Sequence, residues 1–572
     1  APPPPPPPAV AIAPNDAGAS DAAAALVHVQ VLAINDFHGN LLPPAGTNGV
    51  VVAASSDPIA SLPGAKPIEG SNLTLVPAGG AAYLATHVAR LRAENPNTIL
   101  VSAGDLTGAS PLLSNLFNDE PTILVMNQIG LAIEAVGNHD FDRGEPELQR
   151  LQHGGPSVRD ARAVFPGASF TYLAANVTDD ASKKTFFPPY VIKDLGGARI
   201  AFVGETLKQT PSMTAKSAVA GLTFEDEAAT VNALVPELKK QGVSAIVLVL
   251  HQGGQQSSAG TYDSCVGFTG DLPVILDALD PAITVVASAH THQAYNCTIQ
   301  GRLVTSAMSY GRLITKIDLT IDPGAQKVVE MHARNVPVTR DVPPDPQVDA
   351  IVASYQGKSA TETSKVVGYV KEDFTGNAKA AGSASCETPL GDLIADAQKA
   401  ATNADVAFIN PGGIRADLVA KRPGRPDFAV TYAEAFDVQP FGNSLVSFLL
   451  TGAQLRTLLE GEFGSRAEPR ILQPSKGFSF RYTYDRATRK GTIEEMRLGG
   501  RPIEPARKYR VAVNSFLANG GDGFAVLKDG GDRKDGGGDL DALLAFLRER
   551  SSAAKPLAPA HGETRVSGDG CK

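Results

Sequence analysis

Val31-Leu-Ala-Ile-Asn-Asp-Phe-His-Gly-Asn40 is an apolar run that breaks into a carboxylate, an imidazole and a glycine. Its first four residues favour a buried strand. Asp36 and His38 follow two residues apart. Side chains at i and i+2 of an extended chain point the same way, so both can face one cation. Gly39 lets the chain turn away behind them.

The same pattern, an apolar run and then residues able to bind metal, recurs downstream. It is seen in Thr98-Ile-Leu-Val-Ser-Ala-Gly-Asp105, Glu134-Ala-Val-Gly-Asn-His-Asp-Phe-Asp142, Ile246-Val-Leu-Val-Leu-His251 and Val285-Val-Ala-Ser-Ala-His-Thr-His292. A single acidic or histidine pair carries little weight, and His28, His87 and His153 are read as ordinary surface or core residues. Ligand types at the ends of several strands are what an α/β metal site requires.

Together these stretches supply Asp36, His38, Asp105, Asn138, His251, His290 and His292. A mixed oxygen and nitrogen set suits Zn or Mn first, with Co, Fe, Ni or Mg as alternatives. No cysteine is among them, which argues against a finger-type structural zinc. The set is too large for one tetrahedral ion but suits two divalent ions sharing a carboxylate. Such a pair would grip a water and lower its pKa for in-line attack. His139 follows Asn138 and is read as facing substrate, with Asp142 orienting its ring.

The whole chain frames this site. Its 572 residues exceed one ordinary domain. Lys and Arg number 51 against 60 Asp and Glu, a formal charge of −9. That mild acidity, without a dense basic tract, argues against a nucleic-acid polymer as partner. No apolar stretch is long enough for a membrane span. The chain begins Ala1-Pro-Pro-Pro without Met, which reads as a mature chain after cleavage and points to export. Cys265, Cys297, Cys386 and Cys571 suit one or two disulfides in an oxidising compartment. Cys265 and Cys297 flank the last metal stretch, and their pairing would leave Cys386 with Cys571. Free thiols in a cytosolic protein are the alternative.

Residues 1–26 read as a proline- and alanine-rich tail. Strand–helix alternation over 27–335 implies an α/β layered domain. The proline-rich run near 337–346 breaks regular structure, and Val348 to Tyr355 is expected as a helix in a linker over 336–358. A second α/β unit with half-exposed strands follows over 359–555, with Asp529 to Asp539 expected as a surface loop. Residues 556–572 are expected as a C-terminal tail.

With these residues in hand, the first half resembles the calcineurin-like metallophosphoesterases. The second half narrows the resemblance to the 5′-nucleotidase family, which includes UDP-sugar hydrolases. Its marks are Asn410-Pro-Gly-Gly-Ile-Arg415, Gln439-Pro-Phe-Gly442 and Asn514-Ser-Phe-Leu-Ala-Asn-Gly-Gly-Asp-Gly523. The resemblance implies one metal on Asp36, His38, Asp105 and His292, and a second on Asp105, Asn138, His251 and His290. It implies His139 with Asp142 as the catalytic dyad. Phe441 and Phe516 would sandwich a nucleobase, Asp522 would accept ribose hydroxyls, and Asn410 and Arg415 would face the base or phosphate. The small-molecule partner is then a nucleotide.

Two local departures are mild: Ala289 stands where the family usually has Gly, and His292 where some members use Asn or Gln. A third matters more. Gly382-Ser-Ala-Ser-Cys-Glu-Thr-Pro389 lacks a phosphate-facing Arg that many members carry there. The resemblance also implies rotation of the two domains about a hinge near 343–358. The expected activity is that of an exported, two-metal 5′-nucleotidase acting on nucleoside 5′-monophosphates, AMP by default. A UDP-sugar pyrophosphatase, a 2′,3′-cyclic phosphodiesterase and an exported nucleotide-binding protein without catalysis are the alternatives.

Overall fold

In the computed structural model, the described residues run from 26 to 571, apart from short segments at 45, 160–161, 215–217, 258–259, 379–380, 422–426, 464–468 and 470. The proline-rich tail therefore lies outside them, save Leu26. In the first half, two six-stranded sheets stack face to face. One orders its strands Lys327–Pro337, Leu313–Asp322, Val27–Ile34, Thr98–Ser102, Ile133–Ala135 and Thr171–Leu173. The other orders Tyr190–Leu195, Ala198–Thr206, Ala245–His251, Ile283–Ser288, Arg302–Ala307 and Ala294–Ile299.

Strand alternation explains the layering. Val29, Val31 and Ala33 meet Phe202, Val247 and Val285 between the sheets. Leu32 and Ile34 point the other way, onto Leu84 and Val88 of the helix Ala81–Glu94. On the far side, Leu248 and Val286 pack beneath Val231 and Val235 of the helix Glu227–Lys240. Helices thus cover both outer faces, and strands buried on both faces read as continuous apolar runs. Val27–Ile34 is parallel to Thr98–Ser102, and Ala245–His251 is parallel to Ile283–Ser288. Their C-terminal ends therefore open on the same edge, where the ligand-bearing loops begin.

The linker helix runs Pro346–Thr363, longer than its apolar spacing suggested. Asp345 caps it by accepting from the amides of Gln347 and Val348. Tyr355 packs edge-on against Phe117 at 4.8 Å and joins an apolar cluster with Leu116 and Phe436, so the helix is wedged between the two halves.

The second half is built on a five-stranded sheet and a four-stranded sheet. Residues expected as a surface loop form the edge strand Gly531–Gly538, paired with Ser444–Thr451 through two register shifts. Glycine and charge disguised it, because an exposed, bulged edge strand needs little apolar patterning. Part of the expected tail also packs back: Val566–Ser567 pairs with Phe478–Asp485, and buried Arg565 forms a bidentate pair with Asp396. Both disulfides pair as the sequence suggested, Cys265 with Cys297 and Cys386 with Cys571.

Candidate active site

The first cradle does not form as an extended chain. Its strand stops at Ile34, and Asp36 and His38 both adopt left-handed backbone, with φ of 47° and 46°. Asp105, His290 and His292 do the same at 53°, 70° and 55°. Few non-glycine residues sit there, and such strain persists only where surrounding bonds impose it. Those bonds are present. The Asp36 and His38 amides donate to the carbonyls of Gly104 and Asp105, and the Tyr310 amide donates to the Asp36 carbonyl. Convergence of Asp36 and His38 thus comes from a stitched turn rather than from strand pleating.

The ligand atoms gather in two groups, Asp36 with His38 and His292, and Asp105 with His251 and His290, each set within 4.8 Å of one another. His292 Nε2 lies 3.3 Å from Asp36 Oδ1 and 3.1 Å from His38 Nε2. Asp105 Oδ2 stands between the groups, 3.6 Å from His38 Nε2 and 3.1 Å from His251 Nε2. Asn138 Oδ1 joins the second group, 3.1 Å from His251 Nε2 and 3.0 Å from His290 Nδ1.

The donor set fits a pair of divalent cations. His38 Nδ1 donates to the Gly108 carbonyl and His251 Nδ1 to the Ala103 carbonyl, so each ring turns its Nε2 inward. Burial, more than the opposing pull of Asp105, holds His38 down to about 4, and burial likewise brings His290 to about 4. Both rings are then neutral and able to coordinate. Burial pushes the Asp105 carboxyl up, but His251, His139 and His38 together hold it well below the usual carboxylate range. Space is cut to fit: a Cβ on Gly104 would lie 2.3 Å from His251 Nδ1, and one on Gly137 would lie 2.2 Å from Asp105 Oδ1.

His139 sits at the rim, its side chain about a third exposed, with its ring 5.2 Å from that of His38. Its amide donates to Asp105 Oδ1 at 2.8 Å, and its Nδ1 donates to Asp142 Oδ2 at 2.9 Å. Burial lowers the ring's pKa, but Asp142 and Asp105 outweigh it and raise it to about 10. A cation on Asp105 would cancel part of that field, leaving Asp142 as the main support of the proton.

Sequence reading passed over Asp140. It is buried and accepts from the amides of Asp105, Gly137 and Thr107 and from the Thr107 hydroxyl. It thereby ties two ligand loops together. Its place between His139 and Asp142 was the available signal. Asn35 was also missed; its Nδ2 donates to Asp36 Oδ2 at 2.7 Å and fixes that carboxylate.

In the second half, Phe441 and Phe516 are 38% and 47% exposed, unlike the other phenylalanines of the core. The Arg415 guanidinium stands 5.5 Å over the Phe441 ring. Asn410 Nδ2 donates to Asp522 Oδ2 at 2.8 Å, and Asn514 Nδ2 donates to Asn410 Oδ1. The strand Val406–Ile409, the loop after it and the short helix Ser515–Ala518 position this group.

Comparison with known proteins agrees with this division. Residues 29–294 match the calcineurin-like phosphoesterase family, and residues 366–529 match the 5′-nucleotidase C-terminal domain. Endonuclease YhcR of Bacillus subtilis is 32% identical over 77% of this chain, which spans only 34% of that protein's length. A 5′-nucleotidase of Vibrio cholerae is 25% identical over 77% of this chain and 80% of its own. The crystal structure of a 5′-nucleotidase precursor from Thermus thermophilus shares the fold, with a TM-score of 0.64 at 23% identity over 95% of this chain and 99% of that one. Among the described residues no helix is long and apolar enough to cross a membrane.

Proposed function

The chain belongs to the metallophosphoesterases that carry a 5′-nucleotidase C-terminal domain, and from that membership we propose that it is an exported 5′-nucleotidase releasing phosphate from nucleoside 5′-monophosphates, AMP first among them. The observation that carries this reading is the pair of His/Asp groups with Asp105 between them, the site of a metal-dependent phosphoesterase. Two divalent cations on Asp36, His38, Asp105 and His292, and on Asp105, Asn138, His251 and His290, would supply Lewis acidity to the phosphoryl oxygens and to a water.

The chain's own residues do the rest. His139, protonated and held through Nδ1 by Asp142, presents Nε2 to give a proton to the departing ribose 5′-oxygen. Arg415 supplies a guanidinium for the phosphoryl charge. Phe441 and Phe516 offer exposed ring faces for a base, which stacks and loses water between them. Asp522, braced by Asn410, accepts from ribose hydroxyls.

A second reading has support in the relative named an endonuclease: cleavage of phosphodiesters. The test is phosphate release, with Mn, Zn, Co or Mg, from AMP, the other 5′-monophosphates, ATP, UDP-glucose and 2′,3′-cyclic AMP, alongside cleavage of a DNA oligonucleotide. Metal-dependent hydrolysis of AMP that falls in both His139→Ala and Phe441→Ala supports the proposal. Oligonucleotide cleavage without monophosphate hydrolysis would replace it with the second reading.

A further inference from the structure

Tyr310 has no part in the reading so far, yet its ring stands beside the first metal group. It lies in a tight turn of left-handed residues, Met308, Tyr310 and Gly311, with φ of 64°, 62° and 64°. The turn is stitched to the first ligand loop. The Met308 carbonyl accepts from Asn35, and the Tyr310 amide donates to the Asp36 carbonyl at 2.8 Å. The strain is thus spent on fixing one aromatic side chain beside the site.

Its ring lies 5.4 Å from that of His292 and 6.0 Å from that of His38, both members of the first metal group. On another side the Arg312 guanidinium stands 5.3 Å from the ring. Arg312 is itself buried, donating to the Ser309 carbonyl and hydroxyl and to the Val50 carbonyl. The tyrosine is therefore held from behind and only half-buried in front. The guanidiniums of Arg415, in the second half, and of Arg312, with the carboxylate of Asp36, are the charges that bear on its phenol. Among the described residues the phenol oxygen has no hydrogen-bond partner.

We propose that Tyr310 is a substrate-binding residue whose phenol, together with Arg415, donates to the terminal phosphoryl oxygen of a phosphomonoester dianion and so favours monoesters over diesters. This rests on the phosphoesterase reading above. A monoester phosphoryl group has three non-bridging oxygens. Two cations and a guanidinium leave room for a further neutral donor on the one that faces the second half. In a diester that oxygen carries carbon, accepts poorly and clashes with a rigid ring. The second half lacks an arginine anywhere in Gly382–Pro389, which leaves the donor from the catalytic half with more of this task.

Tyr310→Phe keeps the ring, its packing on His38 and His292 and its contact with Arg312, and removes only the hydroxyl. In the Mn-loaded enzyme, kcat/KM for AMP is expected to fall about tenfold or more, while that for 2′,3′-cyclic AMP, which offers the same base, stays within twofold. Calorimetric binding of inorganic phosphate should weaken by a similar factor, with bound Mn unchanged. Unaltered phosphate binding, equal losses on both nucleotides, or loss of Mn would each overturn the proposal. If the parent enzyme hydrolyses no monophosphate, the nucleotidase reading falls, and the phosphate measurement still decides the role of Tyr310.

Discussion

Gly137→Ala isolates how finely the shared carboxylate is placed. The new Cβ would lie 2.2 Å from Asp105 Oδ1 and 2.4 Å from the Asp105 amide nitrogen, roughly 1 Å short of ordinary contact. Asp105 cannot retreat freely. Its amide donates to Asp140, its Oδ1 accepts from His139, and its backbone already lies in the left-handed region. Crowding of this kind costs about 1–3 kcal/mol of stability. A displacement near 1 Å in a reacting constellation costs about 100-fold in rate, and disturbed ligand support weakens metal binding about 10–100-fold. The assay pairs steady-state phosphate release from AMP with metal content by mass spectrometry after dialysis. Gly357→Ala is the control: its Cβ meets nothing within 4 Å, and it lies inside the linker helix, where Ala should stabilise slightly. If Gly137→Ala keeps its full metal complement and a rate within threefold of the parent, Asp105 does not bridge the two groups as described.

Other expectations follow from the same geometry. His139→Ala should lower kcat about 10²–10⁴-fold while leaving metal content unchanged, since the ring serves the leaving group and only its amide touches Asp105; loss of bound metal would instead make it a ligand. Chelation should lower Tm, and Mn at about a hundred times its Kd should restore roughly 2.7 kcal/mol, read by thermal melts with and without metal. Asp539 gives a pH signature: burial raises its carboxyl from 3.8 to about 7, so the folded chain holds a proton that the unfolded chain releases, and stability falls as pH rises from about 4 to 7. Asp539→Asn should flatten that part of the Tm–pH curve relative to the parent, and a parallel curve would refute the assignment. Removing Cys386–Cys571 with paired alanines should cost about 2–5 kcal/mol in urea denaturation, because the bridge closes a loop of 185 residues.

What the sequence held by itself was chemistry with local cause. Apolar runs buried on both faces announced the strands, and the ligand types at their ends announced the metal groups, because strand burial and coordination are properties of the residues concerned. Motif order likewise placed Phe441, Phe516 and Asp522 in a second unit. The edge strand Gly531–Gly538 escaped because its pairing is supplied by its neighbour and not by its own side chains. Only tertiary structure decided that Asp36 and His38 converge through left-handed turns, since those turns are paid for by amide bonds to the next ligand loop, far away in sequence. The same holds for Asp140, which matters through donors on the distant Asp105–Thr107 loop, and for Tyr310, whose neighbours His38 and His292 meet it only once their separate loops are in place.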